Sequence, residues 1–274
     1  MNAIDELRNE RDRIQARIEE LDKAIDELSP NSGPCISTYR EFMDETVGFE
    51  WLVGGLLAKQ TVTMLVADPG IGKSTLMAEL TLSLASGRPF LNTPARTPTK
   101  VLMLQAEGSR AAFRHRLKAA QQAMGINAPT DWFIQAPHFF DFQIGSRGLE
   151  RVVKDSGAEL AVLDTIGYFA KWKENDAEDW RAKVMIPLRK LIDATGVSII
   201  LVHHQPKITD ANKEAREGRG SGAMLGDCDH FWKLEKVRDE MDLRDFVVRK
   251  NKYGAEPTIR LAFDKQNAVF RVVA

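Results

Sequence analysis

Residues 62–75 read VTMLVADPGIGKST: an apolar run, a turn carrying Gly70 and Gly72, then Lys73, Ser74 and Thr75 at the head of a stretch that closes at Gly87. The spacing matches the phosphate-loop pattern G-x-x-x-x-G-K-[ST], with Ala67 in the place of the first glycine. It constrains the fold strongly, because the loop works only between a buried strand and a helix N-terminus. Gly70 and Gly72 let the backbone turn its N–H groups inward as an anion nest, and Asp68, Pro69 and Ile71 complete the loop. Lys73 supplies a cation for the β and γ phosphates, Ser74 a hydroxyl for Mg²⁺, and the helix N-terminus a partial positive charge. The expected ligand is a nucleoside triphosphate; the loop alone does not separate ATP from GTP.

The segments that follow alternate in the same manner. KVLMLQ, LAVLD and VSIILV are apolar throughout and are separated by the helical stretches SRAAFRHRLKAAQQAMG and EDWRAKVMIPLRKLIDATG. Wholly apolar strands between helices predict an α/β fold with a mostly parallel sheet buried on both faces. The tail (HFWKLEKV, RDFVVRKNK, TIRLAFDK, AVFRVV) has short connections and predicts an antiparallel extension of that sheet. The expected organisation is an N-terminal helix over 1–29, a connector over 30–53 and the α/β domain over 54–274.

The first segment has a different period. Ile4, Leu7, Ile14, Ile18, Leu21, Ile25 and Leu28 step by three and four, with Arg11 at the skipped position, and SPNSGP stops the helix. That is a heptad seam of the coiled-coil kind, expected to grip a neighbour or a protein partner; a terminal helix packed on its own domain is the plainer alternative. The net charge of −1 offers no global basic field. The two cysteines, Cys35 and Cys228, form no ligand pair, no apolar run is of membrane-spanning length, and the charged N-terminus has no apolar signal core. A cytoplasmic protein is expected.

Hydrolysis needs further groups, and strand ends carry them. Asp164 closes LAVLD, where a carboxylate can hold Mg²⁺, and Glu107 follows VLMLQA, where it can take a proton from attacking water. His203 and His204 end VSIILVHH. They could be metal ligands, acid-base catalysts, contacts to phosphate or loop residues; a zinc site would need two more ligands, and His115, His138 and His230 lack ligand spacing. Two loops carry cations that suit a single-stranded backbone: Lys171 and Lys173 beside Tyr168 and Trp172, and Lys207, Lys213 and Arg216 in the second. Asp176, Glu178 and Asp179 dilute the first loop, and Asp210, Glu214 and Glu217 the second.

The order of these motifs is that of RecA-like ATPases. AEGSRAAFRHRL, AVLDTIGYF, ILVHHQPK and GRGSGAMLGDCDHFWKLEK resemble hexameric replicative helicases of the plasmid-encoded type, from about Gly54 to the C-terminal strands. The resemblance implies ATP as nucleotide, a ring of identical subunits and single-stranded DNA in its channel. It implies that His204 contacts the γ-phosphate and reports it to the channel loops, and that Arg219 reaches a neighbour's nucleotide as a finger. It also places Arg116, Lys250 and Lys252 near the phosphates, and Tyr253 against nucleotide or a neighbouring subunit. A RecA-like regulatory ATPase, a helicase loader or partner switch acting through the first helix, is the alternative implied.

Overall fold

The computed structural model describes residues 3–28, 38–44, 48–96, 98–126, 133–135, 142–173, 176–204 and 220–273. The chain divides into two compact units, Met1–Gly48 and Phe49–Ala274. The first contains α1 (Ala3–Leu28) and the short α2 (Tyr39–Asp44). No helix among the described residues is long and apolar enough to cross a membrane.

The second unit is built on a nine-stranded sheet, preceded by a small pair, β1 (Trp51–Val53) with β2 (Leu57–Ala58). At its centre lies β3 (Val62–Ala67), buried at every position. On one side follow β7 (Ser198–His204), β6 (Leu160–Asp164), β4 (Val101–Gln105) and β5 (Phe133–Gln135), all parallel. On the other side β8 (His230–Lys236) joins β3 in parallel. The antiparallel extension starts beyond it, with β9 (Leu243–Asn251), β10 (Thr258–Asp264) and β11 (Val269–Val272). The tail is thus antiparallel among its own strands, while its first strand meets the core in parallel.

Side chains alternate between the two faces of this sheet, so two cores form. One face packs Leu65, Met103, Val162, Val202, Trp232 and Phe246 against α3 (Lys73–Ser86). The other packs Met64, Leu102, Leu163 and Leu201 against α5 (Arg147–Ser156) and a compound helix. That helix was expected to be one continuous element. It is α6 (Ala177–Trp180), a π turn (Arg181–Met185) and α7 (Ile186–Thr195). Pro187 explains the interruption: it has no N–H for the preceding turn and its ring crowds it, so the backbone widens just upstream. The helix α4 (Arg110–Ala123) is capped by Ser109, whose hydroxyl accepts from Ala112 N at 3.1 Å.

The C-terminal strand is clipped onto α3. Glu79, almost fully buried, accepts a hydrogen bond from Phe270 N at 2.8 Å. Burial pushes its carboxyl up to about 7, against the opposing pulls of that bond and of Arg271. A carboxyl with a raised folded pKa prefers its proton in the folded state. Its cost is therefore absent below the ordinary value of 4.5, grows between 4.5 and 7, and reaches about 3 kcal/mol above that. Glu79→Gln keeps an acceptor for Phe270 and removes the charge. The variant is expected to melt higher than the wild type at pH 8 and nearly with it at pH 4.5, in thermal unfolding followed by circular dichroism.

Candidate functional site

Parallel register sets the site. Ala67 lies level with His204, and Asp164 lies level with both Val202 and Gln105, so the ends of four strands form one row at the sheet's C-terminal edge. This is the edge at which open α/β sheets bind ligands. The phosphate loop leaves β3 here. Gly70 (φ 78°) and Gly72 (φ 110°) take left-handed conformations, which turn the loop back over the N-terminus of α3. Space also requires glycine at 72, since a Cβ would lie 2.7 Å from the Phe270 ring. Ala67 remains within β3 with ordinary strand geometry, so the missing first glycine disturbs nothing locally.

Lys73 is 5% exposed, and its ammonium donates to Ala67 O at 2.9 Å and Asp68 O at 3.0 Å. Its third contact is His204 Nδ1 at 2.9 Å. An ammonium has no lone pair, so Nδ1 accepts and the ring's proton lies on Nε2, which donates to Glu107 Oε1 at 2.7 Å. Thr165 Oγ1 donates to the same oxygen at 3.2 Å. Burial lowers the Lys73 pKa, and Asp164, Glu107 and Asp68 oppose that shift. His203 points to the other face, where its ring lies 5.7 Å from that of Trp172, and burial holds its pKa down at about 4. The adjacent histidines thus have separate roles because strand side chains alternate.

Asp164 is fully buried, and neither of its oxygens has a hydrogen-bond partner among the described residues. Burial raises its pKa; Ser74, Lys73 and His204 pull it down, and Glu107 adds to the rise. Gln105, level with Asp164 and 5% exposed, has a second acceptor without a described donor, Oε1. Buried oxygens without donors, one of them a carboxylate facing a helix-terminal hydroxyl, fit a hard divalent cation such as Mg²⁺. Ser74 and Asp164 would hold it.

The other expected site residues are dispersed. Arg116 is half-buried on α4, with no hydrogen bond or ion pair to a described residue. Lys250 lies level with Phe231 and Met64, three residues or about 10 Å short of Ala67 along the sheet. It donates instead to Leu225 O at 2.9 Å and Gly226 O at 2.6 Å in the last turn of α8 (Gly220–Asp227). Lys252 is 3.6 Å from the buried Asp229 and lies over the Tyr253 ring, which also meets Phe49 and His230. Lys250, Lys252 and Tyr253 are thus remote from their own chain's phosphate loop. Lys171 lines a cleft of about 500 Å³ with Phe169, Lys183 and Pro187. Lys173 is exposed, and its N–H donates to Asp179 at 2.7 Å. Trp172 packs inward on Trp180, which leaves Tyr168 as the exposed ring of that loop. Lys207, Lys213, Arg216 and Arg219 lie outside the described residues.

One contributor was missed from the sequence. Arg244 of β9 is 2% exposed and donates to Ile71 O in the phosphate loop at 3.3 Å, to Met241 O at 2.8 Å and to Leu243 O at 2.6 Å. It also lies over the Phe263 ring. The signal was present: Arg244 is in phase with Phe246 and Val248, the inward positions of its strand. Lysine at this position keeps the charge but cannot span three carbonyls. Arg244→Lys is expected to weaken nucleotide affinity about tenfold, roughly 1.4 kcal/mol, read by titration with a fluorescent nucleotide at unchanged helix content. Equal affinity would show that the loop keeps its shape without β9.

Comparison with known proteins agrees with this fold. The profile of the AAA domain family matches residues 39–210. Among solved structures, one ATPase domain superposes with a TM-score of 0.60 at 15% identity, covering 86% of this chain and 96% of that one. The RadB recombinase gives 0.52 at 18% identity over 79% and 92%, and a KaiC-like protein from Pyrococcus horikoshii gives 0.52 at 18% over 81% and 94%. At these identities the likeness is one of fold, and the family match spans well over half the sequence. The chain therefore belongs to the AAA domain family and carries its phosphate loop on a RecA-like core.

Proposed function

We propose that the protein is an oligomeric, Mg²⁺-dependent ATPase of the cytoplasm that couples hydrolysis to movement along, or unwinding of, single-stranded DNA in replication. The observation that carries this is the hydrogen-bonded chain from Lys73 through His204 to Glu107 and Thr165, which joins the phosphate loop to the ends of β7, β4 and β6. All three ammonium protons of Lys73 are engaged. A γ-phosphate oxygen that takes one of them competes with His204, the only side chain among these partners. Mg²⁺ on Ser74 and Asp164 would neutralise phosphate charge. Glu107 receives both its bonds on Oε1, so Oε2 is the oxygen that accepts a proton from water.

A change at His204 reaches the segment that follows it directly in sequence, where Lys207, Lys213 and Arg216 stand ready for a phosphodiester backbone with Lys171 and Lys173. Charges for the transition state come from a neighbouring subunit in this reading: Arg219 as a finger, with Lys250 and Lys252 beside it and Tyr253 against the nucleotide. The distance of Lys250, Lys252 and Tyr253 from their own phosphate loop suits that arrangement, and a ring, six-membered by resemblance, supplies the neighbour. Arg116 joins the same site on its own subunit's side. The seam of α1 favours a second reading, a regulatory ATPase that grips a partner protein through this helix.

Steady-state ATP hydrolysis by the full chain, with and without single-stranded DNA at low salt, separates the two. Stimulation by DNA that is lost in Lys73→Ala and falls with rising salt is expected for the motor. Hydrolysis indifferent to DNA would favour the regulatory reading. Glu107→Gln is expected to lower kcat by about two orders of magnitude or more with ATP affinity retained. Unchanged kcat would remove Glu107 from the role of base.

A further inference from the structure

The α1 helix runs 26 residues, about 39 Å, and keeps one register throughout. Ile4, Arg11, Ile18 and Ile25 occupy one line of the seam, and Leu7, Ile14, Leu21 and Leu28 the other. Ile14, Ile18 and Leu21 are 52%, 45% and 48% exposed, a stripe that water disfavours and that a lone helix cannot cover. β-Branched residues on the first line with leucine dominant on the second are the stereochemistry of parallel two-stranded coiled coils. A single polar residue on the first line, here Arg11, sets register at some cost in stability.

Charge chooses the orientation. In a parallel, in-register pair Arg11 would meet its own copy in the seam with the two Glu10 positions flanking that layer, and position 17, an arginine, would stand across the flank from position 22, an aspartate. In an antiparallel pair Arg17 would face its own copy across the flank, a like-charge contact that the parallel pair replaces with an opposite-charge one. We propose that α1 pairs with α1 of a second copy of this chain as a parallel, in-register, two-stranded coiled coil. The heptad reading gains a definite occupant in this way, and the pairing does not depend on nucleotide hydrolysis. Set beside the ring proposed above, it requires an even number of subunits.

Disulfide capture in the full chain, with Cys35→Ser as background and Cys228 buried, tests this. Leu21→Cys is expected to form a dimer under mild oxidation at least tenfold faster than Arg13→Cys, which lies off the seam. Adding Ile14→Asp and Ile18→Asp to Leu21→Cys is expected to abolish the capture. Faster joining of an Arg11→Cys chain to a Leu21→Cys chain would mean an antiparallel pair and overturn the proposal. So would absence of capture, or capture that survives the two aspartates. Repeating the reaction in Lys73→Ala keeps the outcome separate from that of the ATPase reading.

Discussion

Everything at the site depends on the register of β3 between its two parallel neighbours. The strand is buried on both faces, so its hydrogen bonds to β7 and β8 have no competitor in water. A slip of one residue would send Ala67 and Leu65 to the opposite face and turn His203, rather than His204, toward Lys73. The cost of that slip is spread over two hydrophobic cores. The polar groups at the strand ends therefore inherit positions fixed by apolar residues several turns away.

The site also concentrates electrostatic expense. Lys73, Asp164 and Gln105 are nearly or fully withdrawn from water, and the carboxylate and the amide oxygen lack donors among the described residues. Natural interiors seldom leave such groups unsatisfied. Here the two that are carboxylate or amide acceptors, Asp164 and Gln105, lie level on neighbouring strands at one edge, beside the phosphate loop. The coherence of that cluster, more than any single residue in it, distinguishes a binding site from an accident of packing. The distal strands add to it: β9 and β11 bring Arg244 and Phe270 to the phosphate loop from a part of the chain some 170–200 residues downstream.

Much of this was legible beforehand. The phosphate loop, the apolar strands and the terminal carboxylates lie in local patterns, and local patterns survive folding. What escaped reading was non-local or required counting hydrogen bonds. The parallel seating of β8 depends on where α8 delivers the chain, and nothing in HFWKLEKV encodes direction. Pro187 marked a disturbance in its helix but not its form. Arg244 falls in a stretch read only as a strand of the antiparallel extension, although its phase with Phe246 placed it indoors. Trp172 read as part of a basic loop suited to a single strand, yet its ring packs against those of Trp180 and His203. Lys250 carries the same lesson, since the acceptors it meets are backbone carbonyls that no side-chain pattern reveals.

Ala67 has an implication for how such loops are recognised. Its backbone is that of an ordinary strand, and the conformations that only glycine adopts readily begin three residues later. The first letter of the familiar consensus is thus a habit of sequence here and not a demand of geometry. A pattern written in letters rejects this chain at its first position; one written in dihedral angles accepts it.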